Sequence, residues 1–170
     1  QGNIITGNTL AACIESAANN ITITGNLCFN GVGYGIWLHE GTENLNPHNT
    51  GVISGNTILV NYHAGIGETS GILLNNGNAT KYSGNYLITS NNIFANEPLV
   101  NSGISILGLF ENLSIKMNNI TGSDMGLHIA NGALKNSTIQ YNDIRNVKIP
   151  IGMTSLSSGN IINNNNIIVT

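Results

Sequence analysis

The stretch Ser114-Ile115-Lys116-Met117-Asn118-Asn119-Ile120-Thr121-Gly122-Ser123-Asp124-Met125-Gly126-Leu127-His128-Ile129-Ala130 holds two short signals in a fixed order. The first is Asn118-Asn119-Ile120: an asparagine, any residue, then an apolar residue. The second is Gly126-Leu127-His128-Ile129, a glycine followed by apolar residues at period two. Period-two alternation makes a strand with one buried face.

Outward from this stretch, both signals recur. The asparagine motif stands at Asn8-Thr9-Leu10, Asn26-Leu27-Cys28, Asn56-Thr57-Ile58, Asn91-Asn92-Ile93, Asn142-Asp143-Ile144 and Asn165-Asn166-Ile167. The glycine motif stands at Gly35-Ile36-Trp37-Leu38, Gly71-Ile72-Leu73-Leu74 and Gly103-Ile104-Ser105-Ile106, with Ile149-Pro150-Ile151 in its place late in the chain. The spacings are lengths of one solenoid coil, the longer ones with loop insertions. A repeat of this kind decides the architecture before any single element does.

In the first motif the asparagine and the apolar residue share a face. The apolar residue belongs inside, so the asparagine turns inward as well. Stacked strands put equivalent residues about 4.8 Å apart. Asn8, Asn26, Asn56, Asn91, Asn118, Asn142 and Asn165 are therefore expected to form a ladder of side-chain amides. Each amide would bond to its neighbours above and below, which satisfies groups that are costly to bury alone.

Composition agrees. Charged residues make up 8%, against a usual quarter or so, and apolar residues 41%. Asparagine outnumbers even the 21 glycines, and there are 3 prolines. Asparagine and glycine both tolerate left-handed backbone, so such a chain turns often. With five lysines and arginines and a net charge of −3, the chain carries no basic stripe for nucleic acid. No apolar run reaches membrane-spanning length.

These coils resemble the parallel β-helix repeats of the pectin-lyase-like superfamily, in its NosD-like, Asn-rich surface-protein form. The resemblance covers nearly the whole chain. It implies an all-β fold: a right-handed parallel β-helix of about seven coils, forming one domain over residues 1–170. Thr9 to Asn20 departs from the strand pattern and reads as a short helical turn near the N-terminus, with Thr9 as its cap. The superfamily includes lyases, hydrolases, phage tailspikes and inert surface proteins, so the fold leaves function open.

Candidate chemistry is sparse. Enzymes of the superfamily cluster aspartates with calcium and a base, whereas the two aspartates here, Asp124 and Asp143, lie in different coils. Asp143 and Arg145 share an outer face and read as a surface ion pair. Glu40 and Glu43 are the only close carboxylate pair of the kind a glycosidase needs. They, with His39, His48 and His63, match no specific metal motif. No resident cofactor is expected; calcium on asparagine and backbone oxygens is the one ion the composition suits. Tyr34, Trp37, Tyr62 and Tyr82 suggest an outward aromatic column for a sugar or a partner subunit, with His39, Glu40 and Glu43 beside it. Cys13 and Cys28 lie close enough in sequence to pair in an oxidising compartment, or Cys28 is a small core residue with a free thiol. Asn112 and Asn136 head the sequons best placed for glycosylation.

Both ends carry near-copies of one coil, Gly2-Asn3-Ile4-Ile5 and Gly159-Asn160-Ile161-Ile162, without a charged plug. All five basic residues lie after position 80, which gives the two ends of a rod different charge. The sequence thus leads to a non-catalytic extracellular or cell-surface solenoid that stacks on itself head to tail. The rival expectations are a carbohydrate-binding or carbohydrate-cleaving β-helix, an excerpt of a longer solenoid, and a metal-handling surface protein.

Overall fold

The computed structural model describes residues 2–6, 12–18, 20–39, 50–61, 68–76, 82–95, 100–154 and 158–169, without the side chains of 30–32. Every strand pair in it is parallel, and the strands stack into a right-handed β-helix. One sheet runs through seven coils: Ile4–Thr6, Leu27–Val32, Thr57–Asn61, Asn92–Ala95, Asn119–Thr121, Asp143–Val147 and Asn166–Val169. We call it the ladder sheet. A six-stranded entry sheet precedes it in each coil from Ile21–Thr24 to Ile161–Asn163. A six-stranded exit sheet follows it, from Ala12–Ser16 through Tyr34–His39, Ser70–Asn75, Ser102–Leu107 and Met125–Ala130 to Ile149–Met153. A small fourth sheet of Ser83–Gly84, Phe110–Glu111 and Leu134–Lys135 widens the middle coils.

The register converts the repeat into columns. Cys28, Ile58, Ile93, Ile120 and Ile144 align in the ladder sheet, and Ile23, Ile53, Ile88, Ile115 and Ile139 occupy equivalent positions in the entry sheet. All are buried and belong to one core. β-Branched isoleucine suits a pleated surface that must pack like against like.

The turn that leads into the ladder sheet is the same in all seven coils. The residue before each inward asparagine has positive φ: Gly2, Gly25, Gly55, Ser90, Met117, Tyr141 and Asn164, at 66, 66, 62, 56, 54, 59 and 54°. A left-handed residue turns the chain sharply enough for the next side chain to point inward. The first coils use glycine there, and the later ones do not.

One expectation is corrected. Residues 12–16 are a strand, not a helical turn, and no helix occurs among the described residues. Ala12, Ile14, Glu15 and Ser16 pair in register with Tyr34, Ile36, Trp37 and Leu38. A helix-prone composition yields here to the hydrogen bonds and core contacts an adjacent strand offers. The first ladder rung is Asn3, whose backbone N–H and Nδ2 both donate to Asn26 Oδ1 at 3.1 Å. Asn8 lies outside the described residues.

Candidate functional site

The ladder is the largest polar feature of the interior. Asn26, Asn56, Asn91, Asn118 and Asn142 are all buried. Each donates through its backbone N–H and its Nδ2 to the Oδ1 of the next rung: Asn26 to Asn56, Asn56 to Asn91, Asn91 to Asn118, Asn118 to Asn142 and Asn142 to Asn165, at 2.9–3.1 Å. The second Nδ2 hydrogen of Asn56, Asn91, Asn118, Asn142 and Asn165 goes to the carbonyl of Ile23, Ile53, Ile88, Ile115 and Ile139, each at 3.0 Å. The corner is thereby saturated: every rung-to-rung donation runs toward the C-terminal coil, and every donation to an isoleucine carbonyl runs one coil back.

That polarity defines the two ends. The rule continued past Asn165 calls for an asparagine oxygen one coil further on; continued before Asn3 it calls for an amide one coil earlier. The last coil also shows its inner columns to solvent. Ile162 and Ile167 continue the columns of Ile139 and Ile144 but are 42% and 44% exposed, where the latter two are fully buried. Ile161, Ile168 and Val169 are exposed beside them, and Ile4 is exposed on the first coil.

A second candidate lies on the outer face of the exit sheet. Register places Glu15, Trp37, Leu73, Ser105, His128 and Gly152 in one outward column. Trp37 stacks obliquely between Tyr34 (centroids 5.3 Å apart) and His39 (4.8 Å), and His39 Nε2 meets Glu15 Oε1 at 2.9 Å. Burial, and after it the charge of Glu68, pushes the Tyr34 phenol above its ordinary range. The indole nitrogen of Trp37 is buried with no partner among the described residues.

Glu68 joins two further coils. Its Oε1 accepts a hydrogen bond from Ser105 Oγ and lies 3.4 Å from His128 Nδ1, which is itself 3.4 Å from Ser105 Oγ. Nucleophilic relays place the hydroxyl and the carboxylate on opposite imidazole nitrogens. Here both crowd one nitrogen, so the arrangement joins three coils and does not form a relay.

Of the expected site residues, Tyr34, Trp37 and His39 come together. Glu40, Glu43, His48, Tyr62 and His63 lie outside the described residues. Tyr82 is not part of this column: it lies at the edge of the small fourth sheet, with the Lys135 ammonium 5.5 Å from its ring centre. Sequence reading missed Glu15, Glu68, Ser105 and His128 as partners. His128 was legible, because Gly126-Leu127-His128 repeats Gly35-Ile36-Trp37.

Asp143 and Arg145 form the ion pair expected of them, with Nε and Nη2 on the two carboxylate oxygens at 2.7 and 2.6 Å. The guanidinium holds the Asp143 carboxyl below its usual range. Asp124 pairs with Lys148 at 2.7 Å. Asn112 and Asn136 are exposed at positive-φ turns. Among the described residues no group of three or more His, Cys, Asp or Glu converges on a metal-sized site. Among the described residues no helix is long and apolar enough to cross a membrane.

The fold and the ladder define a class: an asparagine-laddered parallel β-solenoid. The sequence matches no protein-family model, no curated protein and no solved structure at a significant level.

Proposed function

We propose that the protein is a structural solenoid that stacks head to tail on copies of itself, forming a fibre, tube or sheath at a cell or virion surface. The observation that supports this is the one-way ladder with its repeated corner. Translation by the length of the coil stack brings Asn165 of one copy under Asn3 of the next, and the donor rule continues unchanged. The same translation would cover Ile162 and Ile167, the exposed members of otherwise buried columns. Identical rigid units meeting through unlike ends grow into an open filament when the step between them is a translation along the stack and does not close a ring. The likeness of the coils to Asn-rich, NosD-like repeats fits an extracellular setting.

Electron microscopy and sedimentation of the purified protein over a range of concentrations test the proposal. Ordered filaments with an axial repeat near seven strand spacings, about 34 Å, are the expected result. Monodisperse single particles at every concentration would refute it.

The aromatic face supports a second reading. Tyr34, Trp37 and His39 in mutual contact, with Glu15 on His39, offer an apolar platform with a polar rim of the kind that stacks on sugar rings. Loss of glycan retention in Trp37→Ala, with the fold intact, would favour it; unchanged binding to every glycan the parent retains would remove it.

A further inference from the structure

A glycine column and an isoleucine column meet inside the helix, and the first coil changes both at once. A Cβ on Gly35 would come 2.2 Å from Ile58 Cγ2; on Gly71, 2.3 Å from Ile93 Cγ2; on Gly103, 2.2 Å from Ile120 Cγ2; on Gly126, 2.5 Å from Ile144 Cγ2. Each glycine thus makes room for the isoleucine of the next coil. In the first coil the glycine position is Cys13, between Ala12 (opposite Tyr34) and Ile14 (opposite Ile36). The isoleucine position of the next coil is Cys28, which pairs with Ile58. Glycine plus isoleucine has become cysteine plus cysteine, at the position where the two columns touch in every later coil.

We propose that Cys13 and Cys28 are a redox site that closes into a disulfide, tying the exit strand of the first coil to the ladder strand of the second. The volume argument stands on its own: two small side chains replace one absent and one large, and their tips share the space an isoleucine methyl fills elsewhere. The thiols are within hydrogen-bonding reach of each other. That contact draws the Cys13 thiol below its ordinary range against the opposing effect of burial, and pushes the buried Cys28 thiol up.

The asymmetry sets the order of events. Cys13 is partly exposed and Cys28 fully buried. The oxidant is a disulfide of the glutathione class or a protein disulfide. Cys13 thiolate attacks one of its sulfurs, its S–S bond breaks, and one thiol leaves with the proton Cys13 gave up. Cys28 then loses its proton and attacks Cys13 sulfur, expelling the second thiol, which takes that proton. Two cysteine thiols are oxidised and one external disulfide is reduced to two thiols.

The test uses the whole protein. Reduced protein is equilibrated under native conditions with oxidised glutathione, quenched in acid, unfolded and alkylated with iodoacetamide. Intact mass is read with and without prior reduction. The expected result is a monomer that takes no alkyl group before reduction and two after it, and that melts several degrees higher oxidised than reduced. The double substitution Cys13→Gly/Cys28→Ile, which restores the pattern of the other coils, should melt at one temperature in both conditions. Two free thiols at equilibrium, glutathione adducts on each cysteine, or a linked dimer would overturn the proposal. The mass readout is made on unfolded single chains, so it stands or falls separately from head-to-tail stacking.

Discussion

Asn118 stands between Asn91 and Asn142 as both acceptor and donor: its Oδ1 takes two bonds from Asn91, and its Nδ2 gives one to Asn142 Oδ1 at 2.9 Å and one to Ile88 O at 3.0 Å. Asn118→Ala would orphan the Asn91 backbone N–H and one Asn91 Nδ2 hydrogen in a dry corner, and would take the amide donor from Ile88 O and one of two donors from Asn142 Oδ1. Each buried polar group so orphaned costs about 1–3 kcal/mol. We expect a loss of about 4 kcal/mol in urea unfolding. Asn165→Ala, at the half-exposed last rung, should cost about 1 kcal/mol, because water can replace its partner. Equal losses at the two positions would mean the ladder is not the source of the stability.

The glycine column yields a second expectation. A methyl group on Gly71 would meet Ile93 Cγ2 at 2.3 Å and the Gly103 carbonyl oxygen at 2.6 Å. The first neighbour is a side chain and the second is backbone held in the next strand. Overpacking of this kind costs about 3 kcal/mol. Ile93→Ala alone opens a cavity worth about 2–5 kcal/mol. The double substitution should therefore cost clearly less than the two losses added, because the new methyl enters the new cavity. It should not reach zero, since the carbonyl contact remains. Chemical denaturation of the four proteins in the cycle measures the coupling; simple additivity would contradict the packing described.

The left-handed corner gives a gain instead of a loss. Tyr141 holds φ at 59° and is 58% exposed, so its side chain adds little burial to offset the backbone cost. A non-glycine residue in this region costs about 1–2 kcal/mol. Gly25 and Gly55 hold the equivalent place in earlier coils. Tyr141→Gly should raise stability by about 0.5–1 kcal/mol after the entropy glycine adds to the unfolded chain is subtracted. A lower melting temperature would show that Tyr141 packs on something worth more than the strain.

What the sequence revealed follows from what repeats. Coil number, the inward asparagines and the isoleucine columns were all legible, because each recurs in the same order with only loop length changing. Asn3 was legible too, in Gly2-Asn3-Ile4-Ile5, but the similar Asn8 motif five residues later competes with it. The strand at Ala12–Ser16 was hidden because Cys13 stands where the motif has glycine, and Ala-Ala-Cys-Ile-Glu suits a helix locally. Glu68 was hidden for a different reason. It precedes its strand, and its partners Ser105 and His128 lie one and two coils away. Only the stacking of coils brings such residues together, and no local pattern encodes which side chain reaches across.

The exposed last coil supplies the sharpest test of stacking. Ile167 is 44% exposed in the column where Ile144 is fully buried. A lysine at 167 can turn its ammonium to water in the single chain, and a substitution at so exposed an edge changes stability by about 0.5 kcal/mol. Beneath another copy the same ammonium would be buried without a partner, which a stacked interface cannot tolerate. Lysine on an edge is also how natural sheets block pairing. Ile167→Lys should therefore keep the melting temperature of the dilute protein and abolish growth of filaments in sedimentation and electron microscopy. Ile144→Lys, in the same column but inside one chain, should unfold the protein outright. Filaments that persist with lysine at 167 would place the contact elsewhere on the molecule.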